Sequence, residues 1–206
     1  MVKRTKSRGG LPPNKYLNTE QLKQLNEYLK TKAALAKERG GRRMLINQMI
    51  VNLLLNSGLR AGELCQLQMR DLPHYHGKLV IDVREGKGFV QRSVQISSAL
   101  ADRIKVFVKR FRRGAKPRSY LFVNEQGGSL SYRSLYSRVG IIGRSAGVGH
   151  LTPHMLRHSY ATAWYNETKD LFGLQDQLGH ADTRTTHIYA KTSNEQMRRQ
   201  VEDFDL

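Results

Sequence analysis

The sequence predicts a mainly α-helical domain with one small antiparallel β-sheet, an α+β architecture. Apolar residues recur at helical spacing along most of the chain, while a single β-branched stretch, residues 79–96, is split by a glycine-flanked turn. Capping residues, glycines and prolines fall where the periodic segments should start and stop. With 206 residues, 39% of them hydrophobic and 25% charged, the chain can bury a sizeable core in one domain.

Residues 1–17 contain Lys3, Arg4, Lys6 and Arg8, a Gly9-Gly10 pair and Pro12-Pro13, and read as a flexible basic arm or linker. Asn18 caps a helix through Leu22, Leu25 and Leu29, with Glu20 in its first turn. Met44 to Asn56 is apolar on most sides, as a buried central helix would be. Ser57-Gly58 ends it, and a further helix begins near Ala61.

Leu79 to Val83 and Phe89 to Ile96 are the predicted strands, joined by the turn Glu85-Gly86-Lys87-Gly88. A basic helix is predicted over 98–113, a short extended segment at 121–123, and a helix over 131–146. Thr152-Pro153 then places a cap and a first-turn proline at the head of a helix running to about Asn166. Short helices are expected at 171–178 and 183–189, and a polar one at 193–204.

Lys and Arg number 35 against 17 Asp and Glu, giving a formal charge of +18 and a pI near 10.3. An excess of that size points to a polyanionic partner, nucleic acid before a ribosomal or membrane surface. Cys65 is the only cysteine, which excludes an intramolecular disulfide and a cysteine-built zinc site. No apolar run reaches membrane-spanning length and the N-terminus lacks a signal-type core, so the expected location is cytoplasmic, on DNA.

The candidate chemistry lies in four separated stretches. Arg60 follows Gly58 at a helix start, where its ordinary role would be an ion pair with Glu63. Lys87 sits at the hairpin tip, where a lysine is most often merely solvated. His154 and Arg157, three apart on one helix, share a face. His154 and His158 have metal-ligand spacing, but no third ligand and no hydrolase glutamate accompany them; no metal and no cofactor is expected. His180, after Leu178-Gly179, has the ordinary role of a cation at a helix C-terminus, and Tyr189 that of a half-buried core residue.

Taken in order, Arg60, Lys87, His154-x-x-Arg157, His180 and Tyr189 resemble the tyrosine recombinase (phage integrase) family. The resemblance covers about Leu17 to Ala190 and includes Ser57-Gly58-Leu59-Arg60-Ala61-Gly62-Glu63-Leu64, Thr152-Pro153-His154-Met155-Leu156-Arg157-His158-Ser159, Leu178-Gly179-His180 and Thr185-Thr186-His187-Ile188-Tyr189. It implies the catalytic-domain fold of that family over 18–192, and a site-specific recombinase that cuts and rejoins DNA without metal or ATP. Tyr189 would attack phosphorus to give a 3′-phosphotyrosyl ester. Arg60 and Arg157 would grip non-bridging oxygens, and Lys87 would protonate the leaving 5′-oxygen. His154 would orient or deprotonate the phenol, and His180 would donate to the phosphate.

Double-stranded DNA is the implied partner, with self-association as dimer to tetramer on it and accessory DNA-bending proteins as further partners. The helical tail 193–206, with Met197, Val201 and Phe204 at helical spacing, is an oligomer-contact candidate; docking on its own domain is the equal alternative. Arg103, Lys105, Lys109, Arg110, Arg112, Arg113 and Lys116 are candidates for tracking the DNA backbone. Recombinases of this family usually carry a further N-terminal domain that completes a clamp; with only the basic arm ahead of it here, the expectation is either an excised fragment of a longer recombinase or a naturally short member that binds as a half-clamp. A type IB topoisomerase or an inactive DNA-binding regulator are the competing functions. The Thr-Thr-x-x-Tyr context speaks for recombinase over the first, and Tyr189 itself against the second.

Overall fold

The computed structural model describes residues 15–85 and 89–179; Lys87, His180, Tyr189, the arm before Lys15 and the predicted helices 183–189 and 193–204 lie outside them. Eight helices and two strands are described, which is the expected α+β architecture.

The hub is α2 (Arg42–Ser57), whose Leu45, Met49, Ile50, Val51, Leu53 and Leu54 are all buried. A helix apolar on most of its circumference needs neighbours on most sides. It has them in α1 (Thr19–Glu38), α5 (Ser98–Phe111), α6 (Tyr132–Ser145) and α7 (Pro153–Thr168). The cap of α1 is reciprocal: Asn18 Oδ1 accepts from the Gln21 backbone at 2.8 Å, and the Asn18 backbone donates to Gln21 Oε1 at 3.1 Å. Two otherwise orphaned donors of the first turn are thereby satisfied.

Gly58 ends α2 in the left-handed region, φ +65. A Cβ there would stand 2.6 Å from the Tyr160 ring and 2.9 Å from Leu178 Cδ2, so glycine is required both by conformation and by space. Arg60 caps the short α3 (Ala61–Gln66), where Glu63 Oε2 accepts from the Arg60 backbone at 2.7 Å. A single 3-10 turn (Met69–Asp71) and the four-residue α4 (Pro73–His76) follow, both absent from the sequence-based expectation.

The strands β1 (Val80–Glu85) and β2 (Phe89–Gln95) pair antiparallel, Val80 opposite Gln95 and Ile81 opposite Val94, with an irregularity between Val83 and Arg84. In β2, Val94 is buried between exposed Ser93 and Gln95, and Arg92 lies on its inward side. Asp71, almost fully buried, accepts from Arg84 of β1 and from the Gln68 backbone, tying sheet to helices. α7 opens as predicted, with Thr152 Oγ1 accepting from Met155 N and Pro153 in the first turn. Ser159 of α7 accepts from the Leu17 backbone at 2.8 Å, which fastens the described start of the chain beside Arg157. Last comes α8 (Leu171–Leu178), capped by Asp170 and closed by Gly179 at φ +63.

Candidate functional site

The last carbonyls of a helix have no partner within it and carry the negative end of its dipole. At the end of α8 guanidiniums meet three of them. Arg92 Nε donates to Gln177 O at 3.4 Å, Arg157 Nη2 to Leu178 O at 2.9 Å, and Arg60 Nη2 to Gly179 O at 2.8 Å. Arg157 also donates from Nη1 to Gly58 O, so one side chain ties the end of α2 to the end of α8. It is 6% exposed, and a buried cation of that kind must have its donors met. Its position is fixed on both sides.

Arg60 is the more open of the two predicted phosphate-binding arginines, with 39% of its side chain exposed. The expected ion pair with Glu63 is present, at 2.8 Å between Nη1 and Oε1, and the contact with Gly179 comes in addition. Arg92 reaches the same carboxylate, Nη1 to Oε1 at 2.8 Å and Nη2 to Oε2 at 3.0 Å. Glu63 thus lies between two guanidiniums. Burial pushes its carboxyl up, but the hydrogen bonds from Arg92 and the Arg60 backbone, with the Arg92 charge, hold it below the ordinary carboxylate value. Three guanidiniums against one carboxylate leave the cluster cationic.

His154 stands one turn before Arg157 but is exposed, its ring 6.3 Å from that of Tyr136 in an edge-on contact. The shared helix face therefore delivers one buried cation and one accessible imidazole. Tyr136 bonds Tyr132 through their hydroxyls at 3.0 Å; burial first, then that bond, pushes the Tyr136 phenol up. His158 is half-buried, and burial, followed by the charges of His154, Arg157 and Lys15, brings its imidazole down to about 4. It is neutral at physiological pH. Among the described residues, no group of three or more His, Cys, Asp or Glu is placed to hold a metal ion.

Sequence reasoning did not single out Arg92, the second partner of Glu63, or Gln177. The Gln177 amide donates to Gln95 O at 2.6 Å and accepts from Gln95 N at 3.0 Å, docking α8 on β2. It donates to the Tyr160 hydroxyl as well, at 3.0 Å. Burial pushes that phenol up to about 12. The available signal was Arg92 in the alternation Arg92-x-Val94-x-Ile96: a cation on an inward face needs a buried partner.

Of the backbone-tracking candidates, Arg103, Lys105, Lys109 and Arg110 are exposed on α5, and Arg113 and Lys116 are exposed beyond its end. Arg112 caps the helix half-buried, its Nε buried with no hydrogen-bond partner among the described residues. Arg103 and Arg110 face a groove of about 840 Å³ shared with α1, α2 and α7, whose lining includes Leu22, Met49 and Phe107. The seven cations therefore do not form one face.

The model of the phage integrase family matches residues 15–196. The chain belongs to the phage integrase family. Tyrosine recombinase XerC of Bacillus subtilis is 32% identical over 158 residues, covering 74% of this chain and 51% of the relative. Tyrosine recombinase XerA of Thermococcus kodakarensis is 37% identical over 163 residues, 78% of this chain and 56% of the relative. This integrase-family chain thus spans about half the length of the curated relatives it matches. Among solved structures, that of XerA recombinase superposes with a TM-score of 0.72 at 27% identity, over 93% of this chain and 65% of that one. At 24% identity and TM-score 0.72, XerH bound to its difH substrate shares the fold over 95% of this chain and 55% of that one. Arg60, Arg157 and Glu63 thus sit in a phage-integrase fold, and Gly179, whose carbonyl Arg60 holds, directly precedes His180 in the chain.

Proposed function

We propose that this chain is the catalytic part of a site-specific recombinase acting on double-stranded DNA through a 3′-phosphotyrosyl intermediate. One observation carries the reading: the guanidiniums of Arg60 and Arg157 are fixed on consecutive carbonyls, Gly179 and Leu178, at the head of the segment containing His180 and Tyr189. Planar forks held in advance suit the charge that gathers on a pentacoordinate phosphorus, and need no rearrangement as it forms. XerH and the Tn1549 integrase, of the same fold, have been solved on DNA, and the +18 charge fits the same partner.

In this mechanism Tyr189 Oη attacks phosphorus and its proton passes toward His154. The bond to the 5′-oxygen breaks, and Lys87 supplies the proton that makes it a hydroxyl; His180 donates to a non-bridging oxygen. A free phenol titrates near pH ~10, so cations around the phosphate are what make it a competent nucleophile at neutral pH. One ester is exchanged for another, so the reverse attack by a 5′-hydroxyl rejoins the strand without ATP. The domain limits follow the same reading: a basic arm over 1–17, the catalytic domain over 18–192, and a tail over 193–206. Met197, Val201 and Phe204, at helical spacing in the sequence, would give the tail an apolar side for a protomer contact as dimers or tetramers assemble on DNA, or for docking on its own domain.

The test is covalent capture. The chain is incubated with a library of nicked duplexes with randomised arms, and protein–DNA adducts are recovered from a denaturing gel and sequenced. Adducts on a defined sequence with the wild type, and none with Tyr189→Phe, are expected. A wild type that forms no adduct with any duplex in the library overturns the reading.

A further inference from the structure

Arg92 belongs to none of the family-like motifs quoted above, yet it touches Glu63, Gln177 and Gly179 at the centre of the site. Its side chain is only 10% exposed, so it is enclosed rather than offered to a ligand. Its two terminal nitrogens lie on the two oxygens of Glu63, at 2.8 and 3.0 Å. Its stem runs against Gly179, where a Cβ would stand 2.6 Å from Arg92 Cδ and 2.7 Å from Nε. It rides on β2, which begins two residues after Lys87 in the chain.

The acceptor inventory of Glu63 gives this arrangement its meaning. Oε1 takes Arg60 Nη1 and Arg92 Nη1, both at 2.8 Å; Oε2 takes the Arg60 backbone at 2.7 Å and Arg92 Nη2 at 3.0 Å. A carboxylate alone beside an arginine prefers the bidentate fork. Here Arg92 makes that fork, so the Arg60 guanidinium reaches Glu63 through Nη1 alone and keeps Nη2 on Gly179 O.

We propose that Arg92 is a positioning residue: by occupying the fork of Glu63 it keeps Arg60 from folding back onto its own helix and holds it turned toward the scissile phosphate. Without Arg92, an under-compensated Glu63 draws both terminal nitrogens of Arg60 to itself, and the contact with Gly179 beside His180 is lost. The inference rests on the recombinase reading of the site.

The test uses the full chain and the duplex recovered by covalent capture, with Arg92→Gln and Arg92→Lys. Single-turnover cleavage is measured at saturating protein on two substrates, the natural phosphate and a methylphosphonate at the scissile position, alongside DNA affinity and melting temperature. Removing a preorganised donor outright costs on the order of a hundredfold, so displacing one by Arg92→Gln is expected to slow cleavage of the phosphate by roughly thirtyfold. DNA affinity should change less than about threefold, because most binding energy comes from other phosphates. On the neutral methylphosphonate a misplaced Arg60 has no charge to oppose, and the deficit should shrink to less than about threefold. Arg92→Lys restores the charge beside Glu63 without the fork and should fall between the wild type and Arg92→Gln; if the glutamine variant does not fold, the lysine variant carries the two-substrate comparison. Equal deficits on both substrates, or wild-type rates in both variants, overturn the proposal. A wild type that forms no adduct overturns instead the reading on which it rests.

Discussion

Two groups of cations in this molecule are alike in charge and opposite in constraint. At the end of α8, Arg92 and Arg157 are enclosed and Arg60 half so, each bound to backbone carbonyls, and two of them share Glu63. Along α5, Arg103, Lys105, Lys109 and Arg110 stand exposed. The first group has given up its freedom before any ligand arrives, so its fields point in fixed directions. The second, standing in solvent, gives up less freedom and supplies attraction with less fixed geometry. Preorganisation separates a site that can lower a barrier from a surface that can only raise local concentration.

Arg157→Lys should break the first group most. An ammonium cannot span Gly58 O and Leu178 O as the fork does, so cleavage should fall on the order of a hundredfold or more. Losing one of these two buried bonds costs about 1–3 kcal/mol. The melting temperature should therefore drop by several degrees, at roughly 3 °C per kcal/mol for this size. Near-normal cleavage would remove Arg157 from the anchored group.

Gly58→Ala attacks the same anchor from the backbone. The added carbon meets the Tyr160 ring at 2.6 Å in a left-handed conformation. About 2 kcal/mol of stability should be lost, read by denaturant unfolding. A neutral substitution would mean that α2 can end another way.

A third measurement gauges how dry the anchored side is. His158 titrates at about 4 in the fold against 6.5 in the free side chain, so between those values the unfolded chain binds more protons and acid favours unfolding. This contribution is full above the unfolded value and is lost as pH falls from 6.5 toward 4. The melting temperature of the wild type should fall more steeply from pH 7 to pH 5 than that of His158→Gln. Parallel curves would place His158 in water.

The smallest effect belongs to α5. Lys105→Gln and Lys109→Gln should each lower the salt dependence of DNA binding by about one in log–log slope and leave cleavage at saturating protein unchanged. A rate loss there would erase the contrast between the two groups.

What the sequence disclosed follows from how local each signal is. Asn18, Thr152-Pro153 and Ser57-Gly58 act within a turn of themselves, and each marks the helix end it was read to mark. The turn at 69–71 and α4 are one turn long, too short for any periodicity to appear. Arg60 and Arg157 were visible through motif order, but not what holds them: Arg60 meets a carbonyl 119 residues away and Arg157 one 99 residues away. Arg92 escaped notice because a strand cation looks solvated until the face it points to is known. The groove beside α5 escaped because it is made by four helices at once.

The Gln177 amide has a consequence outside catalysis. Among the described residues the sheet has two strands, and unpaired backbone on the outer side of a strand such as β2 is a template for a strand from another molecule. At Gln95 both the donor and the acceptor on that side are taken by a side chain that imitates a peptide group. A strand pairing with β2 at Gln95 would first have to displace α8.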